Sequence, residues 1–296
     1  MKILITGGSG LLGKSLLETI PDEYELALTY HKNAQNHSKN AIWYHLDIRS
    51  RSDVFELFEI VRPNYVIHCA SIGSVDYTED HYEQVREVNV TGLSHIIDAC
   101  NGYKSKLAYI STNAVYSGDN PPYNENSPLE PVNAYGIIKR EAERLVRSDA
   151  NKWLIFRPFM LYGWHYLGGR TNWAIKIRHQ LTIGNEQQLV NDVIWQPTYA
   201  IDAAKTIWKL LFQFDREIFN IASPERVTLY EFGLKVCEVF KLNSKLLKPI
   251  KTSSLSSLNV AKRPKDTTYD LIKLSLQGII LSDIKTGLEA MREAKE

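Results

Sequence analysis

The chain has 296 residues, 44% of them hydrophobic and 23% charged, with 35 Lys and Arg against 34 Asp and Glu for a formal net charge of +1. So even a balance offers no bulk attraction to nucleic acid or to a membrane surface, and no apolar run is long enough to span a bilayer, so a cytoplasmic globular protein is expected. Cys69, Cys100 and Cys237 are too few and too scattered for a disulfide framework or a zinc site, the histidines form no ligand pair, and no protein-held metal is expected.

Lys2–Thr6 reads as an apolar strand and Leu11–Ile20 as a helix stopped by Pro21. Tyr24–Tyr30 and Ala41–Leu46 read as strands, Ser52–Val61 as a helix ending at Arg62-Pro63, and Tyr65–Ala70 as a buried strand. His81–Ala99 places Val85, Val88, Leu93, Ile96 and Ile97 on one side and reads as a single long helix. The strand Lys106–Ser111 follows, then a polar, Pro-rich loop between Thr112 and Asn133, long enough to suggest function. Tyr135–Val146 reads as a helix and Trp153–Phe156 as a strand closed by Arg157-Pro158. Later come helices at Ile201–Phe214 and Thr228–Lys241, a strand at Ile218–Ile221 and a terminal helix at Ile284–Ala294. Strand and helix in alternation predict an α/β fold, a doubly wound parallel sheet with helices on both faces.

The stretch "LITGGSGLLGKS" after the first strand fits two phosphate-binding patterns. Gly7, Gly10 and Gly13 have dinucleotide-binding spacing, whereas Gly8, Gly13, Lys14 and Ser15 have the spacing of a nucleoside-triphosphate loop. Both turn sharply on glycine and aim free helix N–H groups at a phosphate. The apolar Leu11, Leu12, Leu16 and Leu17 favour the dinucleotide form, which needs a helix packed on the sheet.

A second constellation bears on the choice. Tyr135 and Lys139 are four residues apart, on one helix face, just after the long loop. Thr112 lies past the end of the preceding strand, at the edge where open α/β sheets bind ligands. A free tyrosine titrates near ~10, too high for efficient proton exchange at neutral pH. A lysine cation at ~4 Å and an effective dielectric of ~20 attracts the phenolate by about 4 kcal/mol. That predicts a Tyr135 pKa near ~7, suited to acid–base work, with Thr112 orienting the reacting oxygen.

On these residues the chain resembles the extended short-chain dehydrogenases/reductases over nearly its whole length. "TGGSGLLG" resembles their cofactor loop, "LDIRS" their adenine-side aspartate, "RPNYVIHCAS" the strand under the cofactor and "YGIIK" their catalytic pair. "STNAVYSG", "WQPTYAIDAA" and "AKRPKDTTYD" are similar to the sugar-nucleotide reductase branch of dTDP-4-dehydrorhamnose reductases. Asn113 and Ala114 depart from that branch, which often has an aspartate and an aromatic there. The resemblance implies a Rossmann-type domain over residues 1–160, to which 196–222 return, and a smaller C-terminal α/β substrate-binding region of 161–195 and 223–296. It settles the glycine loop for a dinucleotide and leaves Lys14 and Ser15 without a phosphate role.

The implied catalytic residues are Thr112, Tyr135 and Lys139. Implied cofactor contacts are Gly7, Gly10, Leu11, Leu12, Gly13, Asp47 (through the adenine amine), Ile48, Cys69, Ala70, Ser71, Tyr135, Lys139 and Pro158, with Tyr162 near the nicotinamide. His31 and Lys32 follow the second strand, and no Asp or Glu occurs from Thr29 to Asn36, so NADPH is expected ahead of NADH. Thr112, Asn113, Tyr135, Gln196 and Arg263 are the candidate substrate contacts, Arg263 for a diphosphate. Asn89 is placed to hold a water or brace the strand beside Thr112. The implied reaction is NADPH-dependent reduction of a nucleotide-linked 4-keto-6-deoxy sugar, with a homodimer as one candidate assembly. Two other readings stay open. One is an NAD-retaining sugar-nucleotide epimerase or dehydratase. The other is a non-catalytic NADP-binding subunit like methionine adenosyltransferase beta.

Overall fold

The computed structural model describes residues 1–21, 23–32, 41–254 and 261–294. Seven strands form one parallel sheet: β1 Lys2–Thr6, β2 Glu25–Tyr30, β3 Ala41–His45, β4 Tyr65–His68, β5 Lys106–Ile110, β6 Trp153–Pro158 and β7 Glu217–Ile221. Their order across the sheet is 7-6-5-4-1-2-3. The direction of winding reverses between β1 and β4. In open parallel sheets a crevice forms at such a switch, beyond the carboxyl ends of the strands.

The longer helices are α1 Leu11–Glu18, α2 Arg51–Val61, α3 Gly92–Tyr103, α4 Ala134–Asp149, α5 Trp173–Thr182, α6 Ala200–Leu211, α7 Leu229–Phe240 and α8 Ile284–Glu293. Successive strand residues point to opposite faces, so a sheet covered on both sides needs apolar residues throughout. Ile3 and Ile5 meet Leu12 and Leu16 of α1 and Ile207 and Leu211 of α6. Leu4, between them, faces the other way, into a cluster with Phe58 of α2, Leu93 and Ile96 of α3 and Ile138 of α4. A third apolar cluster joins Ile177 of α5, Phe232 and Val236 of α7 and Leu288 of α8. Beside it Gln187–Val190 pairs in parallel with Leu247–Ile250. The sequence reading contained neither this pair nor α5. Among the described residues no helix is long and apolar enough to cross a membrane.

The long helix expected at His81–Ala99 is not one helix. Val75–Asp80 and Tyr82–Arg86 are short helical pieces, Glu87–Thr91 is a π-helical turn, and α3 begins at Gly92. The π turn carries one extra residue and displaces those after it, a change that apolar spacing does not record.

Candidate active site

The turn after β1 is shaped by close approach. Gly7 has φ +67°, and a Cβ on it would meet the Ala70 nitrogen at 2.6 Å. The ends of β1 and β4 thus touch where they flank the crevice. A Cβ on Gly13 would meet the Gly8 oxygen at 2.5 Å, so α1 starts pressed against its own turn. Gly10 caps α1 without a side-chain hydrogen bond, and no acidic residue occupies the first helical turn. Uncapped N–H groups and the positive helix end together make a seat for a phosphate. Lys14 and Ser15 take no part in it. The Lys14 ammonium pairs with Glu18 at 3.3 Å, and the Ser15 hydroxyl is buried and donates to the Leu11 carbonyl at 3.1 Å.

α4 presents a stripe of Tyr135, Lys139 and Glu143, four residues apart and all buried. Asn133 caps this helix, its side-chain oxygen accepting from the Gly136 N–H at 2.8 Å. Thr112, two residues past the end of β5, accepts from the Ala114 N–H at 3.2 Å and lies near the Tyr135 phenol, whose pKa it helps to lower. Below them Lys139 Nζ donates to the Ile110 carbonyl at 2.7 Å and lies 4.3 Å from the centre of the Tyr109 ring. Glu143 is held by Arg157 of β6 through Nε at 2.8 Å and Nη2 at 2.6 Å, and by the Ser111 hydroxyl. The Thr/Tyr/Lys set is therefore brought together at the carboxyl edge of the sheet and backed by an ion pair of which each side chain is 1% exposed or less.

The expected electrostatics need correction. Burial pushes the Tyr135 phenol up from its ordinary value, and the opposing influences are Arg170 and Thr112 rather than Lys139. Burial pulls Lys139 down to about 7, against Glu143 and Cys69. The (i, i+4) spacing put the two side chains on one face, as read. It did not reveal that the ammonium is committed to the Ile110 carbonyl.

The remaining candidates divide by surroundings. Leu11 and Leu12 enter α1, Ile48 is buried against Gly92 of α3, and Cys69, Ala70 and Ser71 continue from β4 beside Gly7. Pro158 ends β6, buried, and Tyr162 is buried among α7 and α8 with its hydroxyl on the Ile284 carbonyl. Asp47 is bound by Arg49, whose Nη2 donates at 2.6 Å, and His31 Nε2 lies 3.7 Å from the same carboxylate. The Arg49 bonds hold Asp47 down at about 2. Lys32 is exposed at the end of the described stretch, and residues 33–36 of the acid-free segment lie outside the described residues. Asn89, in the π turn, braces Ile72, accepting from its N–H at 2.8 Å and donating to its carbonyl at 3.0 Å.

Gln196 is buried. It accepts from the Tyr269 N–H at 2.6 Å and donates to the Ser223 carbonyl at 3.3 Å, tying "WQPTYAIDAA" to "AKRPKDTTYD". Asn113 donates to the Thr267 hydroxyl at 2.8 Å. Arg263 binds Asp76 through two hydrogen bonds of 2.9 and 2.8 Å. Sequence reasoning missed Arg49, Arg170 and the segment that carries Arg170. That segment runs from Tyr166, which faces Lys14 and Trp43, to Arg170, which reaches Gly73 beside Tyr135. No spacing rule links Arg170 to Tyr135.

A seven-stranded parallel sheet with a glycine turn at its switch and Thr112, Tyr135 and Lys139 at its carboxyl edge define a Rossmann-type α/β protein of the extended short-chain dehydrogenase/reductase kind. Within that class, the chain belongs to the family of the RmlD substrate-binding domain, whose match covers residues 1–295. It is 28% identical to a dTDP-4-dehydrorhamnose reductase of Aggregatibacter actinomycetemcomitans over 100% of this chain and 99% of that one. It is 26% identical to the methionine adenosyltransferase 2 subunit beta of Danio rerio over 94% of this chain and 85% of that one. The solved dTDP-4-dehydrorhamnose reductase of Bacillus anthracis str. Ames, in complex with NADP, superposes with a TM-score of 0.87 at 28% identity, covering 98% of each chain.

Proposed function

We propose that this protein is an NADPH-dependent reductase of a nucleotide-linked 4-keto-6-deoxy sugar. The observation that carries the reading is the buried Tyr135 phenol, with Thr112 near it and Lys139 one helical turn further along the same face. The turn fits a dinucleotide: Gly7 and Gly13 permit close approach, the start of α1 is uncapped, and Lys14 and Ser15 are engaged elsewhere. The relatives named as dTDP-4-dehydrorhamnose reductases, one of them solved with NADP, support the cofactor and the substrate class.

NADPH, when bound, supplies the hydride. The chain's own residues do the rest. Thr112 and Tyr135 hold the keto oxygen, and Tyr135 donates its proton to the oxygen as negative charge develops there. Lys139 fixes the floor of the site through Ile110 and stands ready to donate to a ribose hydroxyl. Lys32, and Arg49 from the loop after β3, supply positive charge beside His31 at the end of β2, where the phosphate that distinguishes NADPH from NADH is accommodated.

A second reading comes from the relatives named as methionine adenosyltransferase 2 subunit beta: that this chain serves as a non-catalytic partner subunit. The Thr112, Tyr135 and Lys139 set favours catalysis over it. Tyr135→Phe keeps the ring and removes the proton. Turnover is expected to fall about 100- to 10,000-fold while NADPH affinity by calorimetry stays within about twofold. Activity within a few-fold of the parent would remove Tyr135 as the acid.

A further inference from the structure

Arg170 and the Tyr135 phenol converge on one point. A Cβ placed on Gly73 would lie 2.9 Å from Arg170 Nη1 and 3.9 Å from Tyr135 Oη. Asp76, the carboxylate facing Arg170, is already bound by Arg263, and Arg170 is exposed and makes no ion pair among the described residues. We propose that Arg170 is an electrostatic partner of Tyr135, a positioning residue admitted to the phenol by the bare face of Gly73. The proposal rests on the reading of Tyr135 as the proton donor.

The other groups around the phenol do not fill this role. Thr112 is uncharged, Tyr109 is buried beneath Lys139, and the Cys69 thiol is pushed up to about 12 by burial. Lys139 is bound to the Ile110 carbonyl and drawn down to about 7 by burial. A guanidinium keeps its charge throughout, and a cation nearby favours the phenolate over the phenol. Arg170 is the group that opposes burial most strongly at Tyr135. Reduction needs the protonated phenol, so rate falls as pH rises through the pKa of Tyr135. Loss of Arg170 raises that pKa and moves the fall to higher pH.

The test has two arms. The first is kcat/KM against pH, with NADPH and the keto sugar, for the parent, Arg170→Gln, Arg170→Lys and Gly73→Ala. The second needs no substrate: NMR titration of protein labelled with [13Cζ]tyrosine, the Tyr135 signal being the one absent from Tyr135→Phe. Arg170→Gln is expected to move the alkaline limb and the Tyr135 titration up by about one pH unit. Arg170→Lys should stay within a few tenths of a unit of the parent. Gly73→Ala, which pushes the guanidinium away, should shift in the same direction by less. An unmoved limb and an unmoved titration in Arg170→Gln, with kcat/KM lowered equally at every pH, would overturn the proposal. If no keto sugar is turned over, the reductase reading fails, and the titration alone decides on Arg170.

Discussion

Asp47 is a carboxylate whose charge is covered on two sides, by Arg49 at 2.6 Å and His31 at 3.7 Å. Arg49→Ala removes a cation from the loop after β3, beside His31, and uncovers an anion, and both changes disfavour a 2′-phosphate. Exposed ion pairs contribute up to about 1 kcal/mol, so the ratio of kcat/KM for NADPH to that for NADH should fall roughly five- to tenfold. Steady-state kinetics with both cofactors measure it, and an unchanged ratio would place the phosphate elsewhere. His31 and Lys32 were singled out because their strand ends without an acid. Arg49, in "LDIRS", looks like any loop cation until the backbone turns it onto Asp47. Tyr135 and Lys139 were legible as neighbours because helical spacing brings them onto one face. Their electrostatics were not, since burial and the Ile110 carbonyl are tertiary facts. The buried Glu143–Arg157 pair is no evidence of added stability, because desolvating both ions offsets their attraction. What it does is join α4 to β6 directly behind Tyr135 and Lys139.

At the scale of elements, β4 ends in a residue with a measurable signature. His68 is buried, hydrogen-bonded to the Thr6 hydroxyl at 2.7 Å, and held down near 3 by burial. Unfolded, it titrates near ~6.5. The folded state therefore binds fewer protons below that value, and stability falls as pH drops from ~6.5 towards 3, by about 3 kcal/mol at pH ~4.5. Urea denaturation at a series of pH values should show this one-proton slope in the parent and its loss in His68→Gln. An equal slope in both would mean that His68 is protonated in the fold. The strands themselves were legible, since buried parallel strands are apolar runs bounded by turn residues. The helix read at His81–Ala99 was not, because a π turn shifts Asn89 towards Ile72 without altering the apolar pattern. α5 escaped because "NWAIKIRHQLT" spreads polar residues through its length, and its apolar side is defined only by α7 and Gln187–Val190 packing against it.

At the scale of the whole molecule, sheet and site are one construction. The strand switch opens the crevice, β1 and β4 meet at Gly7, β5 and α4 deliver Thr112 and Tyr135, and the segment from Tyr166 to Arg170 lies over the carboxyl edge. Doubly wound architecture follows from alternating strands and helices, so it was visible in the chain. The seating of the later segments was not, because Gln196 meets Tyr269 and Arg263 meets Asp76 across long sequence separations. Reduction of a nucleotide-linked keto sugar is the function proposed for this assembly. The direct measurement is NADPH absorbance after the purified protein is mixed with dTDP-4-dehydrorhamnose and with other nucleotide-linked 4-keto-6-deoxy sugars. Loss of NADPH is expected in step with alcohol formation, requiring both protein and keto sugar. NADPH bound by the protein but never consumed with any of these sugars would contradict it.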